Sequence, residues 1–312
     1  MHYTGTIWRP PYEANSLLLE VTIGCTHHRC KFCTLYSGLP APFRLSPLAD
    51  VEADLLEAQT ALHSPRLRAE ARMQGLPDPA AAVRRVYLVG GNPFVLSFRR
   101  LETLAERIHA YFPACRTIGC FARVTDMANK SDQELRQLAR LGYDGLTIGV
   151  EIADRLALAF MDKGYGPEDI LTQCRRLDEA GIGYHFFYLA GISGAGRGEE
   201  GAKLSAALFN QLRPQRLGVS MLTVYQNSRL CGEIQAGRWQ EAGELEKLRE
   251  LEILAGCLEI PIWLAALGAS NAVPIQGTLP QDRERLLRTL QEAQATLREE
   301  ELRRYRVTLP HL

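Results

Sequence analysis

The chain has 312 residues, of which 46% are hydrophobic and 23% are charged, a composition typical of a globular protein with a substantial core. Its 36 basic and 36 acidic residues cancel, which disfavours binding along a nucleic-acid phosphate backbone, because such binding usually needs a basic excess. The apolar run SLLLEVTIG near the N-terminus is too short to span a bilayer. We therefore expect a cytoplasmic protein with no membrane segment.

Short apolar runs alternate with helical segments along most of the chain. The near-continuous hydrophobicity of the runs, as in LTIGV and YHFFYLA, is typical of strands buried on both faces of a parallel sheet. Strand–helix units in series predict right-handed crossovers, hence an α/β fold in the form of a partial (β/α)6 TIM-type barrel. The predicted strands are residues 16–24, 85–90, 117–122, 145–150, 183–189 and 217–224.

Two segments depart from this alternation. Residues 64–85 lengthen the connection between the first two strands and are predicted to be an insertion. After Tyr225 the pattern becomes mainly helical, with a long amphipathic helix predicted from about 282 to 304. We therefore predict two domains, a barrel with its lead-in at 1–225 and a mainly helical C-terminal extension at 226–312 that covers the barrel.

Three of the eight cysteines lie within nine positions of the segment GCTHHRCKFCTLY, directly after the first predicted strand. Functional residues of parallel α/β folds lie on the loops that follow the strands, so Cys25, Cys30 and Cys33 are predicted to be metal ligands. The residues alone leave two metals open. Zinc would complete its set of four ligands with His27 or His28, whereas a four-iron cluster would keep one iron open.

The cysteine segment resembles the cluster loop of the radical S-adenosylmethionine (SAM) superfamily, whose pattern is C-x-x-x-C-x-aromatic-C. Phe32 occupies the aromatic position, and the departure is one extra residue between Cys25 and Cys30. The resemblance extends over roughly residues 16–225. Within the superfamily, the chain is similar to the coproporphyrinogen-oxidase-like and methylthiotransferase-like groups. It implies that the three cysteines hold a [4Fe–4S] cluster and that SAM binds at the remaining iron.

Further positions match the superfamily at the ends of the predicted strands. VGGNPF resembles its Gly-Gly-Glu motif, which holds the methionine amino group, so Gly90, Gly91 and Asn92 are implied SAM contacts. Asn92 stands where an acid is common, and its amide oxygen can accept a hydrogen bond without supplying a charge. Arg123, at the end of the third strand, is implied to bind the methionine carboxylate through two parallel hydrogen bonds.

The fourth and fifth strands supply the remaining implied contacts. Glu151 ends the fourth strand and Lys163 follows twelve residues later, and the resemblance implies that this pair binds the ribose hydroxyls and the carboxylate of SAM. The glycine-rich segment GISGAGRGEE follows the fifth strand. Gly191 in it is implied to let the backbone approach the adenine closely.

The resemblance implies an enzyme that reductively cleaves SAM and uses a 5′-deoxyadenosyl radical to abstract hydrogen from a substrate. Its partners would be an electron donor, such as a flavodoxin or a ferredoxin, and, given the zero net charge, a small-molecule substrate. The residue that acts on the substrate is not identified. Three alternatives remain: a radical SAM enzyme that modifies tRNA or protein, a zinc-binding module, and an electron-transfer iron–sulfur protein without SAM.

Overall fold

The computed structural model describes residues 1–39, 43–79 and 81–309. Within those residues, strands and helices alternate along the chain as the sequence pattern predicts. The strands are β1 (Leu17–Glu20), β2 (Thr22–Gly24), β3 (Phe43–Leu45), β4 (Arg85–Val89), β5 (Thr117–Ala122), β6 (Leu146–Glu151), β7 (Tyr184–Ala190), β8 (Arg216–Met221), β9 (Ile262–Ala266) and β10 (Ile275–Leu279). The helices are α1 (Leu48–Leu62), α2 (Pro65–Met73), α3 (Phe98–Tyr111), α4 (Val124–Ala128), α5 (Asp132–Arg140), α6 (Arg155–Phe160), α7 (Pro167–Ala180), α8 (Gly198–Phe209), α9 (Arg229–Gln235), α10 (Glu244–Cys257), α11 (Arg283–Thr296) and α12 (Glu299–Val307).

Eight strands form one sheet in the order β1-β4-β5-β6-β7-β8-β9-β10, and β2 pairs with β3 in a separate two-stranded sheet. The pairs β1–β4, β4–β5, β7–β8 and β8–β9 are parallel, whereas β10 runs antiparallel to β9. Because β1 and β10 end the order, the sheet is not closed. The predicted α/β class with a mostly parallel sheet is confirmed.

One compact unit comprises Met1–His28, Tyr36–Thr147 and Glu179–Ile182. Its parallel strands β1, β4 and β5 place Leu19 opposite Leu88, and both side chains are fully buried. Helix α3 has its apolar residues at helical spacing, so that they share one face. The fully buried residues of this face are Leu101, Leu104, Ala105 and Ile108.

A second compact unit comprises Arg29–Leu35, Ile148–Asp178 and Gly183–Leu312. It contains the strands from β7 to β10 and the helices α8 and α10, which pack against each other. Its core includes fully buried aromatic side chains from β7 and α8, which bury more apolar area than aliphatic ones. No helix within the described residues of the chain combines the length and the apolar character that a membrane span requires.

The first predicted strand, 16–24, is two strands in the structure. β1 pairs with β4, whereas β2 pairs antiparallel with β3. The change of partner occurs at Val21, whose N–H donates to the carbonyl of Val89 while its own carbonyl accepts from Ser46. A continuous apolar run cannot reveal this change, because the partner strands lie elsewhere in the sequence.

The segment after Tyr225 contains the helices α9 to α12 and also the strands β9 and β10, which the sequence analysis did not predict. The predicted helix at 282–304 is divided into α11 and α12. The division precedes Glu299, whose carboxylate accepts from the backbone N–H groups of Glu244 and Leu245, at 2.9 and 3.0 Å, at the start of α10. This tertiary capping contact involves residues 54 and 55 positions away, so a local pattern does not predict it.

Candidate functional site

The two glycines after β4 lie directly against the start of the cysteine segment. The N–H of Gly91 donates to the carbonyl of Gly24 at 2.9 Å. A Cβ on Gly91 would lie 2.2 Å from that carbonyl oxygen and 2.7 Å from the Cα of Cys25. A Cβ on Gly90 would lie 2.1 Å from the Thr22 hydroxyl oxygen. Both positions need glycine because the two chain segments approach too closely for any side chain.

Asn92 is fully buried and continues this contact. Its Oδ1 accepts from the N–H of Thr26, the residue after Cys25, at 3.1 Å. Its Nδ2 donates to the Thr26 hydroxyl at 2.9 Å and to both carboxylate oxygens of Asp126 at 3.0 and 3.1 Å. The side chain predicted to contact SAM therefore directs its amide to the cysteine segment and to a buried acid.

Asp126 connects this group to the end of β5. Its Oδ2 accepts from the N–H of Arg123 at 2.8 Å, at the start of α4. Burial raises the pKa of Asp126 from 3.8 to about 6, against the hydrogen bonds from Arg123 and Asn92, which lower it. Burial also lowers the pKa of Lys130 to about 8, although Asp126 opposes this shift. Arg123 itself is half-buried, and its guanidinium donates to the Thr125 hydroxyl at 3.2 Å.

The later part of the cysteine segment belongs to the second unit, where Lys31 fixes it at three points. The Lys31 N–H donates to the Met161 carbonyl at 3.1 Å, and its carbonyl accepts from the Leu230 N–H at 2.8 Å. Its ammonium lies 3.1 Å from the Glu233 carboxylate. The end of α6 and the helix α9 therefore determine the course of the backbone between Cys30 and Cys33.

Glu151 and Lys163 form a buried ion pair in the second unit. The Lys163 ammonium lies 3.0 Å from Glu151 Oε1 and also donates to the Gly149 carbonyl at 3.1 Å. It lies 5.7 Å from the centroid of the Phe32 ring, within the range of a cation–π contact. Burial alone would lower the pKa of Lys163, but the Glu151 carboxylate, with smaller contributions from Tyr165 and Cys30, raises it above its ordinary value.

The backbone of Glu151 is left-handed, with φ of 62°. Non-glycine residues seldom adopt this conformation, and those that do are concentrated at binding and catalytic sites. This backbone conformation at the end of β6, together with the ion pair, makes Glu151 and Lys163 the strongest candidate binding residues of this unit.

Gly191 directly follows β7 with φ of 88° and has a different environment. Its N–H donates to the carboxylate of Glu250 at 2.8 Å, and the other Glu250 oxygen accepts from the Tyr188 hydroxyl at 2.6 Å. Burial raises the pKa of Glu250 from 4.5 to about 7, more than these two hydrogen bonds lower it. A Cβ on Gly191 would lie 2.9 Å from the Cε of Lys247. Helix α10 therefore determines the conformation of the glycine turn.

All eight cysteines lie in the described residues, and none forms a disulfide. Cys25 and Cys30 are half-buried and Cys33 is exposed, on a segment without helix or strand. Unoxidised thiols on such a segment fit the ligand type that an iron–sulfur cluster requires. Across the described ranges, the structure gathers no group of three or more His, Cys, Asp or Glu side chains suited to a metal ion. The assignment of the three thiols as ligands therefore stays a prediction.

The predicted site residues fall into separate groups. In the first unit, Gly90, Gly91 and Asn92 line the start of the cysteine segment, and Arg123 joins them through Asp126. In the second unit, the residues brought together are Phe32, Glu151 and Lys163, whereas Gly191 contacts α10.

The sequence analysis did not identify Asp126, Lys31 or Glu250. Asp126 lies three residues after Arg123 at the start of a short helix, and this capping spacing was the available signal. Lys31 stands between two predicted ligands, but its three contacts lie on distant segments. Glu250 carries no local signal, because its partners are 59 and 62 residues away.

A model of the Radical SAM superfamily matches residues 19–196, more than half of the chain. The chain belongs to the radical SAM superfamily. Enzymes of this superfamily use a [4Fe–4S] cluster and SAM. The prediction of a radical SAM enzyme with these two cofactors is therefore confirmed. No curated protein is significantly similar to the chain in sequence.

Several solved structures share the fold. TsrM, a radical SAM methyltransferase from Kitasatospora setae with tryptophan substrate and a SAM analogue bound, matches 72% of this chain and 40% of its own length, with 18% identity and a TM-score of 0.53. Coproporphyrinogen III oxidase (HemN) from Escherichia coli matches 76% of this chain and 50% of its own length, with 18% identity and a TM-score of 0.50.

Methylornithine synthase (PylB) matches 93% of this chain and 85% of its own length, with 14% identity and a TM-score of 0.51. The chain therefore spans half or less of TsrM and HemN but most of PylB. At identities this low, the matches are evidence for a shared fold and for nothing more. The shared fold is the partial TIM-type barrel that the sequence predicted.

Proposed function

We propose that this protein reductively cleaves SAM and that the resulting 5′-deoxyadenosyl radical abstracts hydrogen from a small organic substrate. The observation that carries the proposal is the superfamily match over residues 19–196, which includes all three clustered cysteines. In this proposal Cys25, Cys30 and Cys33 hold a [4Fe–4S] cluster through their thiolates. When bound, the cluster supplies the electron for the cleavage, and the protein binds and orients SAM and excludes water.

The cluster assignment is tested by anaerobic reconstitution with iron and sulfide, followed by measurement of iron, sulfide and visible absorbance. We expect a brown wild-type protein with about four irons per chain, and loss of the stable cluster in Cys25→Ala, Cys30→Ala and Cys33→Ala. Cys257→Ala is the matched control, because Cys257 is exposed and far from the segment in sequence. Full iron content in Cys30→Ala, or a colourless zinc-containing wild type, would contradict the assignment.

We also propose that the strand-end residues bind SAM. Arg123 would bind the methionine carboxylate, and the pair of Glu151 and Lys163 would bind the ribose hydroxyls and the carboxylate of SAM. The ion pair and the left-handed backbone of Glu151 support this role. The other proposed contacts are Phe32, Gly90, Gly91, Asn92 and Gly191.

The SAM contacts are tested by equilibrium binding of SAM to the reconstituted protein. Glu151→Gln and Arg123→Ala should weaken SAM binding about tenfold or more, because each removes a charge-assisted hydrogen bond. Their iron content should equal that of the wild type. Unchanged SAM affinity in both variants would remove the basis for this assignment.

The substrate class rests on charge. The net charge is zero, and the arginines of the 64–85 insertion are partly neutralised, because Arg66 pairs with Glu70 at 2.8 Å and Arg68 pairs with Asp78 at 2.6 Å. Such a surface has little attraction for a polyanion. The test measures 5′-deoxyadenosine formed by the reduced enzyme with SAM and either bulk RNA or a small-metabolite extract. Stimulation by RNA alone, lost at high salt, would contradict the proposal.

The remaining predictions also belong to this proposal. The reductant would be a flavodoxin or a ferredoxin, in the reducing cytoplasm where thiols stay unoxidised. Residues 1–225 would form the barrel domain with its lead-in. Residues 226–312, whose strands β9 and β10 continue the same sheet, would form the mainly helical extension that covers the barrel.

A further inference from the structure

Two loops of the first unit run side by side, and their contacts follow in sequence order. Gly90 faces Thr22, and Gly91 faces Gly24 and Cys25. Asn92 then faces Thr26, with hydrogen bonds to both the N–H and the hydroxyl of that residue. The loop after β4 therefore supports the cysteine segment along its first turn, and Asn92 provides its polar contacts.

The orientation of the Asn92 amide depends on Asp126. An ionised carboxylate only accepts hydrogen bonds, so it requires the Nδ2 donor of Asn92 on its side, at 3.0 and 3.1 Å. This leaves Oδ1 to face the Thr26 N–H. If the amide were reversed, its NH2 group would face the Thr26 N–H and its oxygen would face the carboxylate. Asp126 is 1% exposed, so water does not compensate for such a mismatch.

We propose that Asp126 is a positioning residue for the cysteine segment. Through Asn92 it holds Thr26, and with it the adjacent Cys25, in one conformation, and this restraint promotes uptake of the iron–sulfur cluster. The proposed effect of Asp126 on cluster uptake rests on the proposed function. Its effect on the conformation of the loop does not depend on the cluster.

A purely structural role for Asp126 would be to cap α4, because Asp126 also accepts from the Arg123 N–H at 2.8 Å. The two roles differ in their response to Asp126→Asn. The new amide oxygen could still accept from Arg123, so capping would survive. The new NH2 group, however, would face the NH2 group of Asn92, which would disrupt the contact with Thr26.

The exchanged double variant distinguishes the two roles. In Asn92→Asp the carboxylates of residues 92 and 126 face each other in a buried site, so this single variant should also loosen the loop. In the double variant Asn92→Asp/Asp126→Asn, the new carboxylate accepts from the Thr26 N–H, the Thr26 hydroxyl and the new amide. The new amide oxygen accepts from Arg123. The hydrogen bonds to Thr26 and to the Arg123 N–H are thereby kept, and residues 92 and 126 are again joined by a hydrogen bond from an amide to a carboxylate, with the charge on the other partner.

The experiment measures hydrogen exchange in peptides covering residues 24–28 of the cluster-free 312-residue chain at pH 8. We expect exchange about tenfold faster or more in each single variant, and near the wild-type rate in the double variant. Ser131→Ala is the control, because it removes the capping box of α5 and should change exchange there alone. Iron retained after reconstitution and desalting should fall by half or more in the single variants and recover in the double variant.

Unchanged exchange of residues 24–28 in both single variants would overturn the proposal, whatever their iron content. A double variant that exchanges as fast as the single variants would do the same. If the single variants fail to fold, the double variant is compared with the wild type directly, and slow exchange supports the proposal while fast exchange overturns it. A wild type that binds no iron would overturn the proposed function instead, and the exchange comparison would still decide this inference.

Discussion

Lys163→Met removes the cation of the buried Glu151–Lys163 ion pair, which is proposed to bind SAM. The Glu151 and Lys163 side chains are 9% and 5% exposed, and their charged atoms lie 3.0 Å apart. The variant leaves the Glu151 carboxylate buried without its ammonium partner, which costs about 3–5 kcal/mol in the free energy of unfolding. For 312 residues, a loss of about 4 kcal/mol corresponds to a decrease of roughly 6 °C in the melting temperature.

The assay is urea and thermal unfolding of the wild type, Lys163→Met and Glu151→Gln/Lys163→Met. The double variant should be more stable than Lys163→Met, because it leaves no unpaired buried charge. Arg155→Met is the matched control, since Arg155 pairs with Glu168 at 2.6 Å but the two side chains are 64% and 57% exposed. That control should cost much less than Lys163→Met, because solvent screens the exposed pair. If Lys163→Met costs no more than the control, the reasoning from burial is wrong.

Three further predictions concern other residues. The pKa of Glu250 in the folded protein, about 7, lies above its ordinary 4.5, so its stabilising contribution is present below pH 4.5 and is lost as the pH rises through 7. Relative to Glu250→Gln, the wild type should lose about 3 kcal/mol between pH 4 and pH 8 in urea unfolding, and parallel pH profiles would contradict this. Gly91→Ala should lower the free energy of unfolding by about 1–3 kcal/mol and should lower iron retention, because the added Cβ would overlap the Gly24 carbonyl. Full iron retention at wild-type stability would refute the close contact. Arg306→Met should lower the free energy of urea unfolding by about 3 kcal/mol, because the buried guanidinium pairs with Glu244 at 2.6 Å and also donates to Thr223. A loss below about 1 kcal/mol would indicate that the pair contributes little.

The sequence predicted the elements whose signal is local. β5 has the predicted bounds, 117–122, because it is a continuous apolar run between turn residues. Ser131 and Glu134 form a capping box at the start of α5, and the segment SDQE contains this signal because both partners lie within one turn. The superfamily was also predictable, because the cysteine spacing and the order of the strand-end motifs are properties of the sequence.

The sequence did not predict features that depend on which distant segments meet. The end of the first strand at Val21 and the division between α11 and α12 arise from partners elsewhere in the chain. β10 alternates buried and exposed residues in IQGTL, but turn residues surround this short run, so the local pattern does not distinguish a strand from a loop.

Asn92 shows the same distinction at the site. By itself the sequence determined that an amide follows two glycines after β4, and that it could accept a hydrogen bond but could not carry a charge. The tertiary structure decided which way this amide faces, because Thr26 and Asp126 lie 66 and 34 residues away in the sequence. The physical reason is that an amide can bond in either orientation, and the carboxylate that selects one of them is brought to it by folding alone.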